Sequence, residues 1–262
     1  MASAVPSDSP TQRFSDRVPE YIRDRPSYPA GVIEHLRLHA GLGAGAVVAD
    51  LGSGTGLFSQ LLLATAARVY AVEPNDAMRA AAERDLADQP SFTSVAGTAE
   101  VTGLPARSIS LVTAAQAFHW FDGSACRREC QRLLRPSGQV ALVWNERQSD
   151  TTPFLAGYET LLLRHATDYT RINHRNIDGA RLGAFFGPAG YTTTEFPSEQ
   201  HFDLPGLQGR LMSSSYAPKA GHPSHAPMLA ELAALFARHA EGGQVVFRYT
   251  TKLYLGSLEL GA

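Results

Sequence analysis

The stretch AVVADLGSGTGLFSQLLLATA, residues 46–66, constrains the fold of this chain more than any other. A short apolar run meets a loop with glycine at alternate positions, and a helix-patterned segment follows at once. A mostly apolar strand leading into a helix belongs to a parallel sheet, whose strands are buried on both faces. The chain supplies the neighbours such a sheet needs. RVYAVEP (68–74), SFTSVAG (91–97), SISLVTAA (108–115) and GQVALVWN (138–145) read as strands. PAGVIEHLRLHA (29–40), NDAMRAAAERDLAD (75–88) and GSACRRECQRLL (123–134) read as helices, with Asn75 as the expected N-cap of the second. This alternation predicts an α/β fold with helices on both faces of the sheet.

After about residue 145 the rhythm changes. TPFLAGYETLLLRHA (152–166) and MLAELAALFARHA (228–240) have helical spacing, while YTTTEFPSEQHFDL (191–204) and GQVVFRYTTKLYLG (243–256) alternate in polarity and read as a late antiparallel strand pair. The expected organisation is a flexible N-terminal tail segment over 1–28, a core over 29–203 and 244–262 with a variable helical region at about 148–186, and a cap or lid insertion over 204–243. His222 and His225 are expected in a mobile loop of that insertion.

Charge and cysteine content narrow the functional classes. With 23 Lys and Arg against 25 Asp and Glu, and no basic run, the chain lacks the positive stripe of a nucleic-acid binder. Cys126 and Cys130, the two cysteines, lie four apart on one expected helix, without further ligands at zinc spacing. His35 and His39 also share a helix face but lack a third ligand, so no metal is expected. The start MASAVPSDSPTQ has no basic n-region or apolar h-region, and no apolar run approaches the ~20 residues of a membrane span. A cytoplasmic protein with a small-molecule partner, and neither nucleic acid nor membrane, is the expectation.

The glycine loop separates two kinds of cofactor. Gly52, Gly54 and Gly56 are spaced G-x-G-x-G, whereas the dinucleotide fingerprint is G-x-G-x-x-G, and Leu57 follows here. Asp50 directly precedes the loop, where it would repel a pyrophosphate. It suits a cofactor with a cationic end. Glu73, at the tip of the next strand, suits a ribose with two free hydroxyls. A nucleoside with a cationic amino-acid tail satisfies both, and S-adenosylmethionine is such a molecule.

Taken together, VVADLGSGTG, VYAVEPNDAM, GTAE and QAFHWF resemble the class I S-adenosylmethionine-dependent methyltransferases. More narrowly, they resemble the small-molecule branch that includes the trans-aconitate methyltransferase type. RFSDRVPEYIRDRPSYP (13–29) and RYTTKLYLG (248–256) extend the likeness over most of the chain. The resemblance implies a Rossmann-like sheet, mostly parallel with the late antiparallel pair, plus a small helical cap. It implies that Gly52, Ser53, Gly54 and Gly56 approach the methionine and ribose of the cofactor and that Asp50 meets its ammonium group. It implies that Glu73, beside Pro74, holds the ribose hydroxyls, and that Met78 covers the adenine. Thr98, Ala99 and Glu100 would lie at the adenine edge, although many relatives have Asp at the position of Thr98. Gln116, beside Ala117, would sit at the sulfonium end, with Tyr21, Arg25 and Tyr28 folded over the cofactor and Arg25 at its carboxylate. S-adenosylhomocysteine would be the product.

Methyl transfer from a sulfonium is an in-line displacement, and holding donor and acceptor in line contributes up to ~7–11 kcal/mol. His119 and Trp120 end the fourth strand at the acceptor side. A phenol or alcohol acceptor would make His119 a general base; a carboxylic acid, ionised already, would need only binding and orientation. The expected function is O-methylation of a small carboxylic acid or phenol, with His119 as a binder first and a base second. N- or C-methylation on the same scaffold, or cofactor binding without transfer, are the alternatives. Phe154, Tyr158, Tyr191, Tyr216 and Tyr249 are candidate liners of a mostly apolar acceptor pocket with one polar anchor.

Overall fold

In a computed structural model, which describes residues 26–167, 169, 179–214 and 216–259, the chain forms one seven-stranded sheet flanked by helices. The order along the chain is α1 (Ala30–His39), β1 (Val47–Leu51), α2 (Leu57–Leu63), β2 (Arg68–Val72), α3 (Asp76–Asp85), β3 (Phe92–Val95), β4 (Ile109–Ala115), α4 (Gly123–Leu133), β5 (Leu134–Arg147), α5 (Pro153–His165), α6 (Gly179–Phe186), β6 (Thr192–Phe202), α7 (Leu204–Met212), α8 (His225–His239) and β7 (Val245–Ser257). The sheet order is β3-β2-β1-β4-β5-β7-β6. β1 to β5 pair in parallel, and β7 runs antiparallel to both of its neighbours. The expected alternation and the late antiparallel pair are both present.

Strand order reverses beside β1, which pairs with β2 on one side and β4 on the other. In open parallel sheets such a crevice, at the carboxyl ends of the strands, is where ligands bind. Burial on both faces explains the unbroken apolar strands. Along β5, Val140, Leu142 and Trp144 enter one core, shared with Cys126, Cys130, Phe185 and Phe186. Ala141 and Val143 enter the opposite core, shared with Val32, Leu36, Phe58 and Leu62. The two thiols are therefore core side chains, with sulfurs 3.9 Å apart.

A third core lies beyond the sheet edge. Phe154, Tyr158 and Leu162 of α5, Leu207 and Leu211 of α7, and Met228, Leu232 and Leu235 of α8 close on Phe202, Phe247 and Tyr249 of β6 and β7. α5, before β6, thus shares one apolar centre with α7 and α8, after it. α8 opens at His225, whose Nδ1 lies 2.9 Å from the Pro218 carbonyl oxygen, so His225 begins a helix and is not a residue of a mobile loop. Among the described residues no helix is long and apolar enough to cross a membrane, and no cluster of His, Cys, Asp and Glu has a metal-binding arrangement. The His35 and His39 rings lie against each other, 4.3 Å between centroids.

Candidate functional site

The carboxyl ends of β1, β2 and β4 bring the glycine loop, Glu73 and Gln116 to one edge. Gly52, Gly54 and Gly56 all have positive φ, at 65°, 58° and 82°. At Gly52 a side chain is excluded twice, because a Cβ would also stand 2.7 Å from the Ala117 Cβ. The loop therefore runs directly against the segment leaving β4. At Gly54 the nearest atom to such a Cβ is the Met78 sulfur, at 3.7 Å, which places buried Met78 beside the loop.

Two buried carboxylates flank that loop. Asp50 Oδ2 accepts from the Ser59 hydroxyl at 2.6 Å, and Oδ1 accepts from the Thr113 hydroxyl at 2.7 Å. The side chain ties α2 and β4 to β1. Burial pushes its pKa up to about 6, against the opposing pull of these two hydroxyls. Glu73 accepts from the Gly54 N–H at 2.9 Å and from the Asn75 N–H at 2.8 Å, and burial raises its pKa also. Asn75 caps α3 by accepting from the Met78 N–H, as its sequence position predicts. Pro74, between them, is half-buried.

Gln116 follows β4 with φ at 56°, a left-handed conformation that costs a non-glycine residue on the order of 1 kcal/mol. Its backbone N–H donates to Val143, and its side-chain Nε2 donates to the Asn145 carbonyl at 3.0 Å. Its Oε1, like the Ser53 hydroxyl, is buried without a hydrogen-bond partner. Such groups at a sheet edge are what an absent polar ligand would satisfy. The Glu73 carboxylate has capacity beyond its two backbone bonds for two hydroxyls. The residues present therefore fit a nucleoside cofactor.

The remaining sequence candidates divide. Ala99 is buried in the core; the Thr98 hydroxyl accepts from the Val101 N–H, and Glu100 accepts from the Asp122 N–H at 2.9 Å. They lie in the segment between β3 and β4, which Glu100 ties to the N-cap of α4. Tyr28 packs edge-on against Phe58, 4.9 Å between centroids. Tyr21 and Arg25 lie outside the described residues. The His119 ring lies against Trp120 at 4.4 Å, tilted by 40°, and meets Trp144 edge-on at 5.5 Å.

A cavity of about 220 Å³ adjoins this edge, lined by Gln116, Asn145, Arg147, Tyr169, Arg210, Tyr216 and Tyr249 among others. Tyr216 and Tyr249, members of the third core, also reach this cavity, whereas Phe154 and Tyr158 stay within that core and Tyr191 packs against Phe186 and Tyr254. This cavity is not mostly apolar, because guanidinium, amide, carboxylate and phenol groups contribute much of its wall. The reason is that the sheet edge, with its polar β5–β7 residues, forms the floor. Arg147 and Arg210 were missed by sequence. The signal was present for Arg210: Leu207, Arg210, Leu211 and Ser214 stand at i, i+3, i+4 and i+7, so a cation occupies a core position of an amphipathic helix.

Comparison with known proteins agrees with this geometry. Residues 49–142 match the sequence family described as a methyltransferase domain. An uncharacterized methyltransferase of Mycobacterium tuberculosis is 40% identical over 138 residues, 51% of this chain and 52% of that protein. An uncharacterized methyltransferase-like protein of Schizosaccharomyces pombe is 31% identical over 156 residues, 59% of each chain. The chain thus spans little more than half the length of the curated relatives it matches. Among solved structures, a candidate type II methyltransferase from Anaeromyxobacter dehalogenans superposes with a TM-score of 0.63 at 24% identity, over 90% of this chain and 98% of that one. Geranyl diphosphate C-methyltransferase from Streptomyces coelicolor, solved with S-adenosylhomocysteine, gives 0.50 at 13% identity, over 88% of this chain and 77% of that one. Residues 49–142 thus resemble the methyltransferase-domain family, and the fold is the one these solved methyltransferase structures share.

Proposed function

We propose that this protein is an S-adenosylmethionine-dependent methyltransferase that O-methylates a small acid or phenol. The observation that carries the reading is the Glu73 carboxylate, fixed by the Gly54 and Asn75 N–H groups beside a loop of left-handed glycines. Bound there, S-adenosylmethionine supplies a methyl group already activated on a sulfonium cation. Glu73 holds the ribose hydroxyls, and the loop backbone lies along the ribose and methionine part. Asp50 places negative charge beneath the cofactor's cationic end, and Met78 packs on the adenine side. Gln116 Oε1 faces the sulfonium end. Support for a small acceptor comes from the adjoining cavity, whose volume suits a metabolite and not a polymer chain. The S-adenosylhomocysteine held by the Streptomyces neighbour supports the cofactor assignment.

His119 serves here to bind and orient the acceptor beside Trp120. The test is turnover of labelled S-adenosylmethionine against small acids, phenols and amines, followed by the pH–rate profile of His119→Ala. Binding predicts a raised KM with the kcat profile unchanged in shape. Loss of an ionisation near neutrality would make His119 the base, and methyl incorporation into amines alone would replace O-methylation by N-methylation.

A further inference from the structure

We propose that Arg210 anchors a carboxylate of the methyl acceptor, one that is bound and is not itself methylated. This rests on the methyltransferase reading above and specifies the acceptor. Arg210 is 6% exposed and sits on α7 between Leu207 and Leu211, both fully buried. Its Nε donates to the Tyr249 hydroxyl at 3.4 Å and its Nη1 to the Ser214 hydroxyl at 3.1 Å. Among the described residues no carboxylate pairs with it and Nη2 finds no acceptor, yet the side chain lines the cavity. Burying a guanidinium without a counter-charge is strongly unfavourable.

The neighbouring charges do not relieve it. Arg147 is bound to Glu159 and lies over the Tyr158 ring at 4.9 Å, so Glu159 is already engaged. Burial holds the Tyr158 and Tyr169 phenols above their ordinary range, so they add no negative charge. Glu146 pairs with Lys252 at 2.7 Å, and Asp150 is exposed at the rim. An anionic ligand is therefore what completes the site, and the planar fork of a guanidinium matches a carboxylate bidentately.

Register separates this anchor from the reacting end. Asn145, whose carbonyl accepts from Gln116, lies on β5 two residues before Arg147, and Arg147 pairs with Tyr249. That is a rise of ~7 Å along the strand. The Tyr249–Arg210 contact thus lies away from the edge where Gln116 meets the cofactor. A carboxylate clamped by a guanidinium also has its lone pairs and charge engaged, which makes it a poor nucleophile. The methylated atom belongs to another part of the same molecule.

The experiment is a titration, in saturating S-adenosylhomocysteine, of benzoate, phenylacetate and hexanoate, each against its primary amide. The wild type is compared with Arg210→Met and Arg210→Lys by calorimetry and thermal shift. The acids are expected to bind about tenfold or more tightly than the amides. That preference should vanish in Arg210→Met and fall in Arg210→Lys, while amide binding stays unchanged in both. Should Arg210→Met fail to fold, Arg210→Lys carries the comparison, since it keeps bulk and charge but loses the fork. Equal binding of acids and amides, an acid preference that survives the substitutions, or no binding by any acid overturns the anchor. A wild type that binds S-adenosylhomocysteine but shows no acid preference sinks the anchor alone; one that does not bind it sinks the methyltransferase reading too.

Discussion

Asp50 shows how much a single position decides. Its raised pKa means that the folded state binds its proton more tightly than the unfolded chain does. Stability from this group is thus fully present below about pH 4 and is lost as pH rises through about 6. The cost is about 3 kcal/mol at most above that window, from roughly two pKa units at 1.36 kcal/mol each. Glu73, also raised, adds in the same direction. A set of denaturation curves from pH 4 to 7 without cofactor should therefore show falling stability, and Asp50→Asn should flatten part of the slope while weakening S-adenosylhomocysteine binding. An unchanged slope in the variant would mean that Asp50 is ionised throughout. The type and place of this residue were legible in sequence, because an acid before a glycine loop repels phosphate. That Ser59 and Thr113 would wrap it was not, since those partners come from α2 and β4.

At the scale of elements, α3 links helix capping to the cofactor edge. Asn75 caps it while its own N–H donates to Glu73, so the helix start and the Glu73 carboxylate share one geometry. Asn75→Ala should cost about 1 kcal/mol of stability, seen as a lowered urea midpoint. It should also weaken S-adenosylhomocysteine binding, because the cap fixes the turn that presents Glu73; a loss of stability with affinity intact would separate the two roles. Elements with strong periodicity, including α3 and β1 to β5, were readable from local pattern alone. α8 begins three residues before its clearest apolar pattern, because Pro227 lies in its first turn, where a missing N–H costs nothing. The cavity beside Gln116 was harder to read. Its walls join residues about a hundred positions apart, as Tyr249 and Arg147 do, and no local spacing records that pairing.

For the whole molecule, the reversal of strand order beside β1 puts the cofactor edge at the junction of two sheet halves. Ligand binding there should stabilise the folded chain globally. At a hundred times its Kd, S-adenosylhomocysteine should add about 2.7 kcal/mol, read as an upward shift in Tm. The absence of a shift at millimolar ligand would remove the cofactor from the account. The sequence by itself determined the α/β alternation, the glycine loop and the placing of Asp50 and Glu73 beside it. These depend on contacts between near neighbours in the chain and on the periodicity of burial. Only the tertiary structure decided that α5, α7 and α8 share one core and that the cavity beside Gln116 has a largely polar wall. It also set Arg210 in that wall, where no carboxylate among the described residues pairs with it. Each of these follows from packing between segments far apart in sequence, where the charge balance of a buried group is set by every element that closes around it.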